Sequence, residues 1–550
     1  MEAFKGVSPH RPLNQNGKEI RIIKLLPNTF SAQVECELEH IALNPGADYE
    51  AVSYCWGDAS ITEPILLDGT PYPVTLNLLA GLRYLRREDS PRRLWVDSLC
   101  INQRGVVERS REILKMRDIY RLARRVLIWL GDYHPFTRLH VSVRPKPYMK
   151  DVAKSPNLIC GDLVLPFPHL RAVGEYWVNN TDDQRIGLPP ICPSLDRMRT
   201  IWFGHQSLVS GGEDSTLAQR LAWILALVAG RFHATDQRDI VYAILGLLNA
   251  DPLPAQLLPD YSKSPAEVLI ECASFIVVQS RILTILQYNS MQTERLPTWV
   301  PDWRHDSWCP IALTAQPHSK THVQILREIG ALEVDIVSLT QVCQVGPRLE
   351  QHDSAENLVS TWSNFFLEAE ASLARNQPPV WGYSSFGKAL WQLLLAFDLS
   401  RQELHEPGWH LGAAERVPPL FFWEGDFSLD SGRAWGKRDI MLEEILTALQ
   451  AIVPRKFLFR GLDDSIGIMC QPDVTPREGD MVGTVKGSYA DFIFREYLDG
   501  YKIVGRCERS KRGDFAIGDT GLHRWAGTTH LYAFYEELWT TSDGRRILIY

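Results

Sequence analysis

No run of about eighteen apolar residues occurs anywhere in this chain, so no helix is expected to span a membrane. The cysteines form no CxxC pair and no Cys/His cluster at zinc spacing, so no metal site is expected. The opening stretch, MEAFKGVSPHRPLNQNGKEI, lacks an apolar h-region, and no secretory signal is expected from it. A cytoplasmic, reducing location follows, with thiols mostly buried and free. Low-complexity segments, internal repeats and a GxxxxGK[ST] phosphate loop are all missing. Positive charge is in deficit as well: a net charge of −8 argues against a general polyanion binder, and no nucleic acid is expected as partner.

What remains is an ordinary globular composition, 45% apolar and 23% charged, in 550 residues. That length exceeds one core, and two to four domains are expected. Base is concentrated in one place: residues 83–125 hold thirteen Lys/Arg against six Asp/Glu. These arginines either pair locally with Glu108, Glu112 and Asp118 or form a positive rim toward an anionic partner. Seventeen tryptophans, several in turn-like contexts (Trp56, Trp299, Trp303), read as packing anchors.

The chain is organised around residues 92–132. Leu94-Trp95-Val96 is a short apolar run ending in Asp97, as a buried strand does at a polar edge. After the polar turn Asn102-Gln103-Arg104-Gly105, Ile113, Met116, Ile119, Tyr120 and Ala123 recur at helical spacing. Val126 to Leu130 is continuously apolar, as in a strand covered on both faces. Strand, helix and strand within about forty residues predict a right-handed parallel βαβ unit. Asp97 to Gln103 then fall beyond the carboxyl end of the first strand, where open α/β sheets place their ligand crevice.

Upstream, Ile20–Leu26, Val34–Ile41, Ala51–Tyr54 and Ile65–Leu67 read as strands, the last entering a turn at Asp68-Gly69. Leu76–Arg87 reads as an amphipathic helix. A helix near Ser194–Phe203 is expected, then helices over Thr216–Phe232, over Ile240–Leu248 behind a Thr235 or Asp236 cap, and from Ser264-Pro265 to about Gln279. LPTWVPDWR, Leu296 to Arg304, is a rigid connector. Strands are expected over 310–350, helices over 354–450, and a glycine-punctuated β-rich module from Phe457 to Cys507. The domains predicted are a leader with strands (1–44), an α/β domain (45–200), a helical domain (216–295), a mainly helical mixed region (296–455) and a β-rich module (456–550).

Three motifs resemble one family. YEAVSYCWGD (Tyr49 to Asp58), LWVDSLCINQ (Leu94 to Gln103) and ERSREILKMRDIYRLARRVLIWLG (Glu108 to Gly131) are similar to successive motifs of the fungal heterokaryon-incompatibility (HET) domain. TDQRDIVYAILGLL, LPTWVPDWR and the segment 479–507 are similar to stretches that often follow it. The resemblance implies a filamentous-fungal protein of non-self recognition, with growth arrest or programmed cell death as output. It further implies a remote likeness to the TIR fold of innate-immune signalling proteins, hence a parallel-sheet α/β domain followed by helical and β-rich regions. Protein partners or self-association through the HET domain are the contacts it implies. Some TIR proteins cleave NAD, so an NAD nucleosidase is the alternative, NAD being a cofactor or substrate only under that reading.

The residues expected at the motif interface are Ser53, Tyr54, Trp56, Gly57, Asp58, Trp95, Asp97, Asn102, Gln103 and Arg109. Trp56 either plugs the sheet edge with Gly57 supplying a positive-φ turn, or the loop presents Tyr54 and Asp58 to a ligand. Asp97, Asn102 and Gln103 either contact a ligand or cap the following turn. Asp97 or Glu108 would supply the single carboxylate of the NAD-cleaving reading; Glu108 otherwise serves the helix dipole. Cys100, between Leu99 and Ile101, reads as a buried hydrophobe rather than a nucleophile. Asp236, Arg238 and Asp239 are expected to cap a helix and pair locally. His318/His322 and His405/His410 lack a third ligand and read as surface residues.

Overall fold

The computed structural model describes residues 9–14, 18–131, 156–160, 163–166, 216–228, 234–246, 248, 252–281, 283–288, 296–304, 321–348, 365, 457–463, 465–469, 474–488, 490–510, 538–540, 542 and 544–550. The chain divides into two compact units: Met1–Leu217 with Arg231–Val268, and Ala218–Gly230 with Leu269–Tyr550. The helices of 216–280 are therefore shared between both units.

The first unit is built on a nine-stranded sheet. Its strands are β1 (Glu19–Leu25), β2 (Glu35–Ala42), β3 (Glu50–Tyr54), β4 (Thr62–Leu67), β5 (Thr70–Thr75), β6 (Arg92–Trp95), β7 (Arg125–Trp129), β8 (Pro156–Cys160) and β9 (Leu163–Pro166). They lie in the order β5-β4-β2-β1-β6-β3-β7-β8-β9. β3 pairs parallel with β6 and β7, and β7 with β8, but β1 runs antiparallel to both β2 and β6. The sheet is thus mixed, not the parallel sheet expected. An interior strand is apolar on both faces whichever way it runs, so EIRIIKL looks the same to a pattern reading in either direction.

β6 and β7 do not pair with each other; Ala51 of β3 sits between Trp95 and Val126. All five residues of β3 are buried, which suits the middle position it takes. The connection runs through a one-turn helix α2, reserving α1 for Leu76–Leu85: α2 spans Asp97–Cys100 and α3 spans Val106–Leu122. Thr75 caps α1, its hydroxyl accepting the Leu78 N–H, and Leu78, Leu79, Leu82 and Leu85 bury one face. β4 and β5 form a hairpin through Asp68-Gly69. At the outer edge, β5 carries Pro71 and Pro73, which withhold the N–H groups an added strand would need.

The second unit contains a closed barrel. β10 (Val323–Leu326), β11 (Ala331–Arg348), β12 (Phe457–Gly461), β13 (Ile466–Met469), β14 (Met481–Val485), β15 (Asp491–Tyr497), β16 (Gly500–Ser510) and β17 (Arg545–Ile549) form one sheet. Because β14 pairs back onto β11, strands β11, β12, β13, β16, β15 and β14 make a complete ring. Val342, Phe457, Phe459, Met469, Val482, Ile493, Val504 and Cys507 fill it. The 18-residue β11 serves several partners by shifting register between Ser338 and Thr340. β17 gives the last residues a place in the sheet, through five pairs with β11.

LPTWVPDWR is anchored here. The Thr298 N–H donates to Tyr550 O at 2.9 Å, and Thr298 Oγ1 accepts the Ile503 N–H at 3.0 Å. Trp299 and Trp303 are fully buried, Trp299 Nε1 donating to Gly330 O at 2.9 Å. Among the described residues no helix is long and apolar enough to cross a membrane. The helices expected near Ser194–Phe203 and over 354–450 lie outside the described residues, apart from helical Phe365.

Candidate functional site

β3 ends at Tyr54 and the neighbouring β6 at Trp95, which lies opposite Ala51, and the residues just beyond the two strands meet. The chain leaves β3 through Cys55 and Trp56 and turns at Gly57, whose φ of 75° a side chain would strain. This swings the Trp56 indole onto Asp97, its N–H lying 3.3 Å from each carboxylate oxygen. Asp97 also accepts the Ser98 N–H at 2.8 Å, while its backbone oxygen receives Gln103 Nε2 at 3.0 Å. Tyr54 Oη and Ser98 Oγ lie 2.6 Å apart. Beside them Trp129, at the end of β7, donates to Asn77 Oδ1 at 3.0 Å.

The expected crevice is therefore filled. Asp97 is only 7% exposed, so it does not stand at an open mouth; Trp56 covers it and Gln103 braces the turn that carries it. Ser53 and Trp95 are buried, the Trp95 ring packing edge-on against Tyr120 at 5.5 Å. Asp58 points outward instead, accepting the Ser60 hydroxyl at 2.6 Å and N–H at 2.8 Å, which hold its carboxyl below the usual range.

Glu108 answers to a residue that the motif reading missed. Arg21, in the middle of β1, is fully buried and forms a two-pronged pair with Glu108 at 2.6 and 3.1 Å. The same guanidinium donates to Cys100 O at 3.1 Å and to Arg11 O. Glu108 in turn accepts the Asn102 N–H at 2.8 Å. Burial raises the Glu108 carboxyl, but the Arg21 and Asn102 hydrogen bonds outweigh it and leave it below the ordinary value. His10 completes the knot, its Nε2 lying 2.9 Å from Leu99 O; burial lowers its pKa. The one available sequence signal was a charge inside the apolar run IRIIKLL.

Arg109, one residue on, faces away from this knot. It pairs with Asp236 and stacks on Tyr261, the guanidinium carbon 3.6 Å above the ring centre. Arg238 grips the same Asp236 at 2.9 and 2.8 Å and reaches Tyr261 O and Lys263 O. The Tyr261 hydroxyl donates to Asp239, and Ser110 Oγ accepts the Tyr261 N–H at 3.2 Å. Asp236 pairs locally, accepting the Arg238 N–H at 3.1 Å, but among the described residues no side chain caps the helix that starts at Asp239, and the role of Asp236 is to clamp residues 236–263 onto α3. Burial would raise its carboxyl; the Arg238 and Arg109 bonds override that and set it at about 2. Because the folded value lies below the unfolded one of about 3.9, the clamp's stability is complete above pH ~4 and is lost as pH falls toward 2. Acid titration followed by hydrogen exchange of residues 239–245 is expected to show opening in that window, and Asp236→Asn to abolish its pH dependence.

The surplus base of residues 83–125 is met largely from outside the stretch. Glu50, buried at the start of β3, pairs with Arg92 at 2.5 Å and Arg125 at 3.3 Å, and Arg93 pairs with Glu39. Cys100 is buried, which pushes its thiol up to about 12 and removes it as a nucleophile at neutral pH. His322 pairs with Glu333 at 2.6 Å, while His318, His405 and His410 lie outside the described residues. Among the described residues no group of three or more His, Cys, Asp or Glu is placed to hold a metal ion.

Residues 49–158, from the residue before β3 into β8, match the family model described as Heterokaryon incompatibility protein (HET). The chain is 35% identical over 133 residues to Heterokaryon incompatibility protein 6, OR allele, of Neurospora crassa. That match covers 22% of this chain and 20% of the relative, so the chain spans about a fifth of the length of the protein it matches. No solved structure matches the chain.

Proposed function

We propose that this chain acts in heterokaryon incompatibility of a filamentous fungus, as a cytoplasmic non-self recognition protein whose N-terminal unit signals by protein contact and triggers growth arrest or programmed cell death. The observation that carries the reading is the match of residues 49–158 to the HET family, together with the relative from Neurospora crassa. The geometry favours contact over catalysis. Both carboxylates that NAD cleavage would call upon are engaged: Asp97 under Trp56 and Glu108 on Arg21. A residue committed to holding a loop against a sheet gives that loop a fixed shape, which is what a partner surface needs. A distant kinship with the TIR fold belongs to the same proposal, its support being the β6–α2–α3–β7 crossover about β3.

Induced expression of the full chain in a fungal host is expected to arrest growth. Arrest is expected to be lost in Trp56→Ala, which uncovers Asp97 and frees the loop. Unimpaired growth of the host at high expression would overturn the proposal. Release of nicotinamide from NAD by the purified chain, abolished by Glu108→Gln without unfolding, would replace contact signalling with NAD cleavage.

A further inference from the structure

α3 has three faces. Glu112, Ile119 and Tyr120 are buried, and Arg109 and Ser110 engage Asp236 and Tyr261. The third face carries Val107, Arg111, Leu114, Asp118 and Arg121, which at 3.6 residues per turn fall on one narrow stripe. It lies open to solvent: Val107 is 65% exposed and Leu114 44%. Arg111 is exposed and, among the described residues, has no ion-pair partner. Among the described residues, half-exposed Asp118 pairs only with its own helix's Arg121, at 2.9 Å.

The order of charges along this stripe decides what covers it. We infer that it packs against the same stripe of a second copy of this chain, antiparallel across a two-fold axis passing between Leu114 and Lys115. In that arrangement Arg111 of each copy lies opposite Asp118 of the other, so one pair is made twice by symmetry. Leu114 meets the second Leu114 near the axis, with Val107 extending the apolar strip outward. The parallel alternative sets Arg111 on Arg111 and Asp118 on Asp118, which opposes association. The unpaired Arg111 and the half-used Asp118 are the two groups that a single symmetric contact satisfies together. The inference rests on the reading that the N-terminal unit signals by protein contact, and it names the surface and the partner.

Sedimentation equilibrium of the full chain tests it through charge reversal. The natural chain is expected to approach twice the monomer mass. Arg111→Asp alone and Asp118→Arg alone are each expected to weaken association about tenfold or more, because each opposes like charges twice. The double variant Arg111→Asp/Asp118→Arg is expected to restore association to within a few-fold. Arg111 is exposed and Asp118 half-exposed, and an unchanged circular dichroism spectrum checks that the variants fold. A natural chain that stays monomeric, single variants that associate normally, or a double variant that is not rescued would each overturn the inference. The two readings fail separately in the growth assay. A monomeric chain that still arrests the host removes the surface and keeps the signalling role; a charge-paired dimer without effect on growth does the reverse.

Discussion

Glu108→Ala is expected to destabilise the first unit by about 3–5 kcal/mol, the cost of stranding a buried charge. Arg21 is fully buried, and Glu108 is its carboxylate. Without it the guanidinium keeps the Cys100 and Arg11 carbonyls but loses both charge-assisted bonds. The effect should exceed that of a surface pair such as Lys24–Glu37, worth about 0–1 kcal/mol. Hydrogen exchange on the full chain checks it: β1 and β6 should lose protection while β12 to β16 keep theirs. Arg21→Met/Glu108→Leu should recover much of the loss, since removing both partners strands nothing. Acid should act in the same direction. The Glu108 pKa is depressed in the folded state, so its stabilisation is present above the unfolded value and is lost as pH falls through the folded one.

This pair marks the limit of what the sequence made legible. Local periodicity and turn chemistry located β3, β6, α3 and β7, because each is a short run whose neighbours carry the signal. Trp56-Gly57 was readable for the same reason: a bulky anchor beside a positive-φ residue is a local device. Arg21 and Glu108 lie 87 positions apart, and nothing in IRIIKLL says which carboxylate its charge will meet. Strand order was hidden likewise. That β3 enters between β6 and β7, and β1 joins antiparallel, depends on pairing between distant segments that apolar runs do not encode.

Asp97 shows the same limit at the level of function. Its place at the end of β6 was correct, yet exposure depends on what folds over it, and Trp56 is 41 residues away. The clamp of α3 by residues 236–263 is a further case. TDQRD reads as a helix cap in isolation, and only the fold brings Tyr261 beneath Arg109. The third HET-like motif and the TDQRD stretch are thus mechanically joined: α3 holds Glu108 toward Arg21 on one side and Arg109 toward Asp236 on the other. A force or ligand that displaces α3 would disturb both.

In the second unit, Gly467→Ala is expected to be as damaging as loss of a core side chain. Gly467 in β13 stands directly opposite Phe459 in β12. The Phe459 ring lies flat across the glycine, so that an added Cβ would fall well inside van der Waals contact with three ring carbons. Phe459 has no exposed surface and packs with Met469, Val482 and Val504 inside the closed barrel, which leaves the ring no free direction to move. Overpacking costs of about 1–3 kcal/mol, occasionally more, are usual, and the closed ring places this one at the upper end or beyond. Guanidinium unfolding of the full chain should show the transition assigned to β12–β16 by hydrogen exchange moving to lower denaturant, with the nine-stranded sheet unaffected. Phe459→Leu in the Gly467→Ala background removes the obstructing ring and should recover part of the loss, whereas Phe459→Leu alone opens a void and destabilises. Opposite signs for one substitution in two backgrounds would be the mark of a ring stacked on a glycine, and equal signs would refute that packing.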